Sequence, residues 1–154
     1  MEDLALFLHL LGALAFVSGI VLAGVAFESA RRREGPADVA LLLGLARSGA
    51  VLVAGGGALL LAGGLWLVGL EDDVGFGAGW VGAALGLFVI VVALGMIGGR
   101  RPRQARQLAT RLAAEGRDAT SELRSLLDDP LSRIANYASA ALVLAILALM
   151  AFKP

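Results

Sequence analysis

The sequence predicts an all-α integral membrane protein built as a bundle of four transmembrane helices. Three observations carry that expectation. The 154 residues are 58% hydrophobic, with 21 glycines beyond that share and a mean hydropathy of +0.83. Soluble domains average roughly 45–50% apolar even with glycine counted, and a chain this short has too much surface to hide the excess from water. The apolar residues also fall in four runs, each near the roughly 20 residues that cross a bilayer core. Finally, the arginines collect around the polar stretches that follow the first and third runs.

The first span is expected over residues 4–27. It follows Glu2 and Asp3 rather than basic residues, and it exceeds the roughly 7–15 apolar residues of a signal-peptide core. It is therefore read as a true span. Arg31-Arg32-Arg33 follow, and Glu34-Gly35-Pro36 ends the helix, because glycine suits a left-handed cap and proline cannot continue. The second apolar run, Val39 to Leu70, is too long for one perpendicular crossing at about 1.5 Å per residue. Its membrane part is placed at 48–70. Residues 38–47 become a helical extension or interfacial segment, with Arg47 at the headgroups and Asp38 as N-cap.

Glu71-Asp72-Asp73 open a short loop rich in glycine (Gly75, Gly77, Gly79). The third span is expected over 80–99, stopped sharply by Arg100-Arg101-Pro102-Arg103. Residues 100–133 form the one sizeable polar segment. There Ala105, Leu108, Ala109, Leu112 and Ala113 recur at helical spacing, Gly116 interrupts, and Leu123, Leu126 and Leu127 resume. Short amphipathic helices along the membrane surface would give this pattern; a solvated connector is the alternative. Asp129-Pro130 supplies an N-cap and first-turn pair for a fourth span over 134–152. Spans and loops use the whole chain, 1–154, as one integral membrane domain.

Orientation follows from charge. All twelve arginines lie in or beside the first and third loops, while Glu2, Asp3, Glu71, Asp72, Asp73 and the one lysine, Lys153, lie at the other end. Arginine-rich short loops stay in the cytoplasm, so both termini are expected outside. Trp66 and Trp80 flank the outer loop as interfacial aromatics do, and Tyr137 sits near the inner end of the fourth span. Arg31, Arg32, Arg33, Arg100, Arg101, Arg103 and Arg106 are expected at anionic lipid headgroups. They alternate with acids and apolar positions, which suits lipid better than nucleic acid.

Helices in lipid associate by close backbone approach, which small residues permit. Gly12 and Gly19, with Ala23 and Ala26, share a face of the first span. Gly49, Gly56 and Gly63 recur every seven residues in the second, and Gly79 and Gly86 in the third, where Gly82 and Gly86 also make a GxxxG step. Ala138, Ala141, Ala145 and Ala148 line the fourth. These stripes serve an internal four-helix bundle, or one of them serves a homo-oligomer or a larger partner.

Candidates for chemistry are few. With no cysteine, disulfides, thiolate metal sites and cysteine nucleophiles are excluded. One histidine excludes any site needing two within one chain. His9 lies in the first turns of the first span, and an ionisable residue there is a functional candidate by default. It could ligate haem iron or copper, with Met96, Met150 or a second chain as further ligand, or simply hydrogen-bond a neighbouring helix. An outer metal site from Glu2, Asp3, His9, Glu71, Asp72 and Asp73 is weaker, because hard carboxylates suit calcium or magnesium better than copper. Glu28 is spaced to pair with Arg31 or Arg32. No P-loop, GxSxG, HExxH or paired intramembrane carboxylates occur, so no catalytic set is assigned.

Four segments carry a family resemblance: Phe7-Leu8-His9-Leu10-Leu11-Gly12, Gly64-Leu65-Trp66-Leu67, Trp80 opening a span that runs into Arg100-Arg101, and the ending Leu149-Met150-Ala151-Phe152-Lys153-Pro154. Together they resemble the predicted integral membrane proteins of domain-of-unknown-function family 2269, which is distantly similar in layout to copper-resistance protein D-like membrane proteins. The resemblance covers essentially the whole chain. It implies a bacterial inner-membrane four-helix protein with no assigned activity. The histidines and methionines of haem or copper sites are missing here apart from His9. The expected function is a non-enzymatic accessory, scaffold or interaction subunit. The alternatives are a haem- or metal-binding redox protein using His9, and a small channel or transporter.

Overall fold

Long uninterrupted apolar helices dominate because each span must satisfy its own backbone hydrogen bonds in lipid. The computed structural model describes residues 1–70 and 79–152. Their order is α1 (Glu2–Arg31), α2 (Pro36–Leu70), α3 (Gly79–Gly98), α4 (Arg100–Ala114), α5 (Ser121–Leu127) and α6 (Pro130–Phe152). Four helical stretches are long and apolar enough to cross a membrane: 2–31, 36–70, 79–114 and 121–152. Glu71, Asp72 and Asp73, with Gly75, Gly77, Lys153 and Pro154, lie outside the described residues.

The helices pack as two antiparallel pairs, α1 with α2 and α3 with α6. In the first pair the seam is made of glycine and alanine. Ala5, Gly12, Gly19 and Ala26 are buried on α1, and Gly49, Gly56 and Gly63 on α2, each set at a period of seven. The second pair meets through larger side chains, Val81, Ala84 and Val91 against Ser139, Val143 and Ile146, with Gly98 admitting the methyl of Ala135. Phe16 joins the pairs. Its ring lies 5.7 Å from that of Phe88, over Gly57, where a Cβ would stand 3.3 Å from one ring and 3.4 Å from the other. Large apolar side chains such as Phe7, Leu14, Val89 and Leu144 point outward, as lipid-facing residues do.

α2 has 35 residues, about 52 Å at 1.5 Å per residue, against a hydrocarbon core of about 30 Å. The surplus is its N-terminal third. There Val39 and Leu43 are buried against Phe27 and Ala30 of α1, Ala105, Ala109 and Leu112 of α4, and Leu123, Leu126 and Leu127 of α5. A second apolar core thus sits at the arginine-rich end. The apolar face of α4 is spent on α2 and α5.

Three local expectations are corrected. α3 ends at Gly98, where the third span is expected to stop, but the arginine run does not end helical structure there. Gly99 N–H still donates to Gly95 O at 3.0 Å, and Arg103 N–H donates to Gly99 O at 3.3 Å. Pro102 merely lacks the N–H that the carbonyl of Gly98 would accept, so the helix is interrupted at one residue and resumes as α4. Asp38 is not an N-cap. α2 starts at Pro36 and Asp38 lies in its first turn, where its charge suits the positive end of the helix dipole. α1 ends at Arg31, before Glu34-Gly35-Pro36. Gly116, by contrast, terminates α4 with a left-handed φ of 63°. Arg117 N–H donates to Leu112 O and Gly116 N–H to Ala113 O, the paired bonds of a glycine-terminated helix.

Candidate functional site

His9 lies two turns into α1 and is half-buried against α2. The approach is close because α2 has no side chain there. A Cβ on Gly63 would fall 2.7 Å from the His9 backbone nitrogen, and one on Gly64 would fall 3.0 Å from Nδ1. Across this gap Nδ1 lies 2.9 Å from the Leu60 carbonyl oxygen. A carbonyl only accepts, so Nδ1 carries the proton. When the ring is neutral, its lone pair is therefore on Nε2. Among the described residues no group of three His, Asp or Glu side chains converges to hold a metal. Glu2 and Asp3 remain exposed at the start of α1. Met150 lines a small apolar cavity of about 30 Å³ with Leu60, Phe16 and Phe88. Met96 is exposed on α3, toward the opposite end of its span from Trp80.

At the other end, Arg31 is the junction. It donates to Glu28 at 3.0 Å and to Asp128 at 2.9 Å, 97 residues away in sequence. Arg124 returns a bond to the Arg31 carbonyl at 3.3 Å. Arg32 lies 3.6 Å from Glu28 and is itself exposed. Asp129 caps α6, accepting the Ser132 N–H at 2.9 Å and its hydroxyl at 2.8 Å. Those two bonds, the backbone one first, hold the Asp129 carboxyl below the usual carboxylate range. Partial desolvation opposes them, and Arg101 adds a weaker attraction.

A match to a family model covers residues 3–154, and its description reads predicted integral membrane protein. The chain belongs to the DUF2269 family. No curated protein and no solved structure matches it.

The small residues of this DUF2269 chain divide into two groups. Gly12, Gly19, Gly49, Gly56 and Gly63 all lie where a Cβ would strike the facing backbone; at Gly49 it would stand 2.7 Å from Ala23 N and at Gly19 2.7 Å from Val53 N. Gly79, Gly82 and Gly86 of α3 have nothing within 4 Å among the described residues. Ala141 and Ala145 sit on the exposed face of α6, away from the Ser139, Val143 and Ile146 face that packs on α3. Of the expected surface arginines, Arg31 is built into the protein, while Arg33, Arg100, Arg101 and Arg103 are exposed and Arg106 is half-buried. Sequence reading alone did not pair Arg31 with Asp128 or Val39 with α4. Nothing in local spacing marks contacts between elements so far apart in the chain.

Proposed function

We propose that this protein is a small non-enzymatic scaffold or interaction subunit of the bacterial inner membrane, assembling with its own copies or with a larger complex. The division of its small residues carries the reading. Gly12, Gly19, Gly49, Gly56 and Gly63 are consumed between α1 and α2, whereas Gly82 and Gly86 on α3 and Ala141 and Ala145 on α6 face outward. In lipid, apolar burial gives no drive to associate, and small outward faces are what allow another helix close. The arginine end is taken as cytoplasmic, with both termini outside, and its exposed arginines as partners of anionic headgroups. The helices of the 100–133 loop would then stand at that leaflet. Cross-linking in native membranes tests assembly. Wild type should give dimers or higher species, and Gly86→Leu with Ala145→Leu should reduce them without loss of folded monomer. A protein that cross-links in native membranes neither to its own copies nor to any other membrane protein would end this reading.

One observation favours a second reading, a haem- or copper-binding redox protein. A ligating imidazole donates its other ring N–H to a carbonyl or carboxylate, which fixes the tautomer, and His9 makes that bond to Leu60. A visible spectrum of the purified protein, oxidised and then reduced, separates the two. A Soret band lost in His9→Ala supports haem, and a colourless preparation after growth with haem precursor removes it.

A further inference from the structure

A groove of about 330 Å³ runs between α4 and α5 at the arginine-rich end, lined by Arg101, Gln104, Gln107 and Arg111 from α4 and by Glu122 and Leu126 from α5. It exists because α4 turns one face, Ala105, Ala109 and Leu112, into the core with α2 and α5. The adjoining face of α4, at spacings of three and four residues, is left looking across at the outer side of α5. Leu108 and Leu126 form its floor. Arg111, Gln104 and Gln107 make no side-chain hydrogen bond or ion pair among the described residues, and Arg101 has only a long contact, 3.9 Å, to Asp129. The groove thus holds two guanidinium forks and two carboxamides with unused donors, opposed by one carboxylate.

We propose that this groove is a binding site for a phosphate group. Planar guanidinium groups bind phosphate oxygens through paired charge-assisted hydrogen bonds. An apolar floor in a concave site focuses the field that attracts the anion. Arg101 and Arg111 are ten residues apart, about 15 Å along the helix, within the combined reach of two arginine side chains. The carboxamides of Gln104 and Gln107 and the carboxylate of Glu122 complement hydroxyls carried next to the phosphate. That fits a hydroxylated phosphate ester better than a bare polyanion, which Glu122 would repel. The level of the groove supplies a source. Gly98 packs on Ala135, so in this antiparallel pair Arg100, Arg101 and Arg133 all fall at the same end, just beyond the apolar spans, where the headgroups of a surrounding bilayer would lie. A phospholipid such as phosphatidylglycerol presents a hydroxylated phosphate ester there. This deepens the reading that the arginine end meets anionic headgroups and rests on it for the source, though not for the groove.

The test compares two charge-matched double variants of the full-length protein in detergent: Arg101→Gln with Arg111→Gln in the groove, and Arg103→Gln with Arg106→Gln outside it. Native mass spectrometry with added phosphatidylglycerol, and thermal shift with inorganic phosphate in lipid-free detergent, are the readouts. The groove pair should bind phosphatidylglycerol about tenfold more weakly than wild type, with the outer pair close to wild type and all three equally folded. Binding of inorganic phosphate that the groove pair alone loses supports the site and moves its natural occupant to a soluble phosphate ester. An equal drop in both pairs overturns the groove and leaves the general attraction to headgroups standing. No drop in either pair overturns both.

Discussion

The Nδ1–H of His9 donates a hydrogen bond to the backbone carbonyl of Leu60 across the α1–α2 interface, at 2.9 Å. Glycine at 63 and 64 gives the ring its room, since a Cβ at either position would crowd His9. A hydrogen bond between membrane helices contributes about 1 kcal/mol. His9→Ala should therefore lower the thermal midpoint in detergent modestly, and Gly64→Val should lower it more by displacing the ring. Equal midpoints for wild type and both variants would show that this bond does not hold the helices.

Gly56 separates two kinds of glycine. A Cβ there would fall 2.5 Å from Phe16 N and 2.9 Å from Gly12 O, and neither backbone atom can move without parting the helices. Gly56→Leu should cost about 3 kcal/mol or more and give aggregated or low-yield protein. Gly82→Leu meets open space within the protein and should keep the yield and folded state of wild type, even where it changes how copies assemble. Size-exclusion profiles of the pair decide it; a monodisperse Gly56→Leu would refute the tight α1–α2 seam.

Arg31 ties the end of α1 to the α5–α6 junction through Asp128, and its side chain is only 15% exposed. Replacing it by Gln would leave Glu28 and Asp128 without their shared cation and free the segment around α5. Removing charge-assisted bonds of this kind costs about 1.5–3 kcal/mol, tempered here because Asp128 is itself exposed. Amide hydrogen exchange over residues 121–129 should quicken in Arg31→Gln while the centre of α2 stays protected. Unchanged exchange in α5 would mean that the apolar contacts of Leu123, Leu126 and Leu127 hold it alone.

Asp129 supplies a pH dependence. Its carboxyl is held below the ordinary value of 3.8 by the Ser132 bonds. A depressed folded pKa means that the capping contribution is complete above that value and is lost as pH falls below it. The start of α6 should therefore fray in strong acid in wild type. Asp129→Ala should fray already at pH 7, with little further change on acidification. Exchange rates of the amides of Ser132 and Arg133 against pH read this directly, and matching profiles for the two proteins would dismiss the cap.

Much of the fold is legible in one dimension. The four apolar helices, the Asp129 cap of α6, the break at Gly116 after α4 and the Glu28 pairing with Arg31 depend on neighbours within a turn or on run length against bilayer thickness. Those terms are local, so the sequence states them. The candidate site is less legible. His9 stands out as the one histidine, yet its partner is a backbone carbonyl 51 residues on, and carbonyls have no sequence signature. The run Arg100-Arg101-Pro102-Arg103 is expected to stop the third span, and α3 does end at Gly98; what local rules do not state is that α4 follows after one residue, its apolar face packed on Val39 and Leu43.

By itself, then, the sequence determined that this chain belongs in a membrane, how many of its segments are long and apolar enough to cross one, and which end is basic. Hydrophobicity and charge are summed over single residues and need no partner. Only the tertiary structure decided which glycines are spent inside the fold and which face outward, that Arg31 is an internal clamp rather than a surface charge, and that α4 and α5 enclose a polar groove. Each of these depends on what stands opposite a residue in space. In a chain where every helix carries small residues, several pairings satisfy the same pattern, and fit between particular side chains selects one.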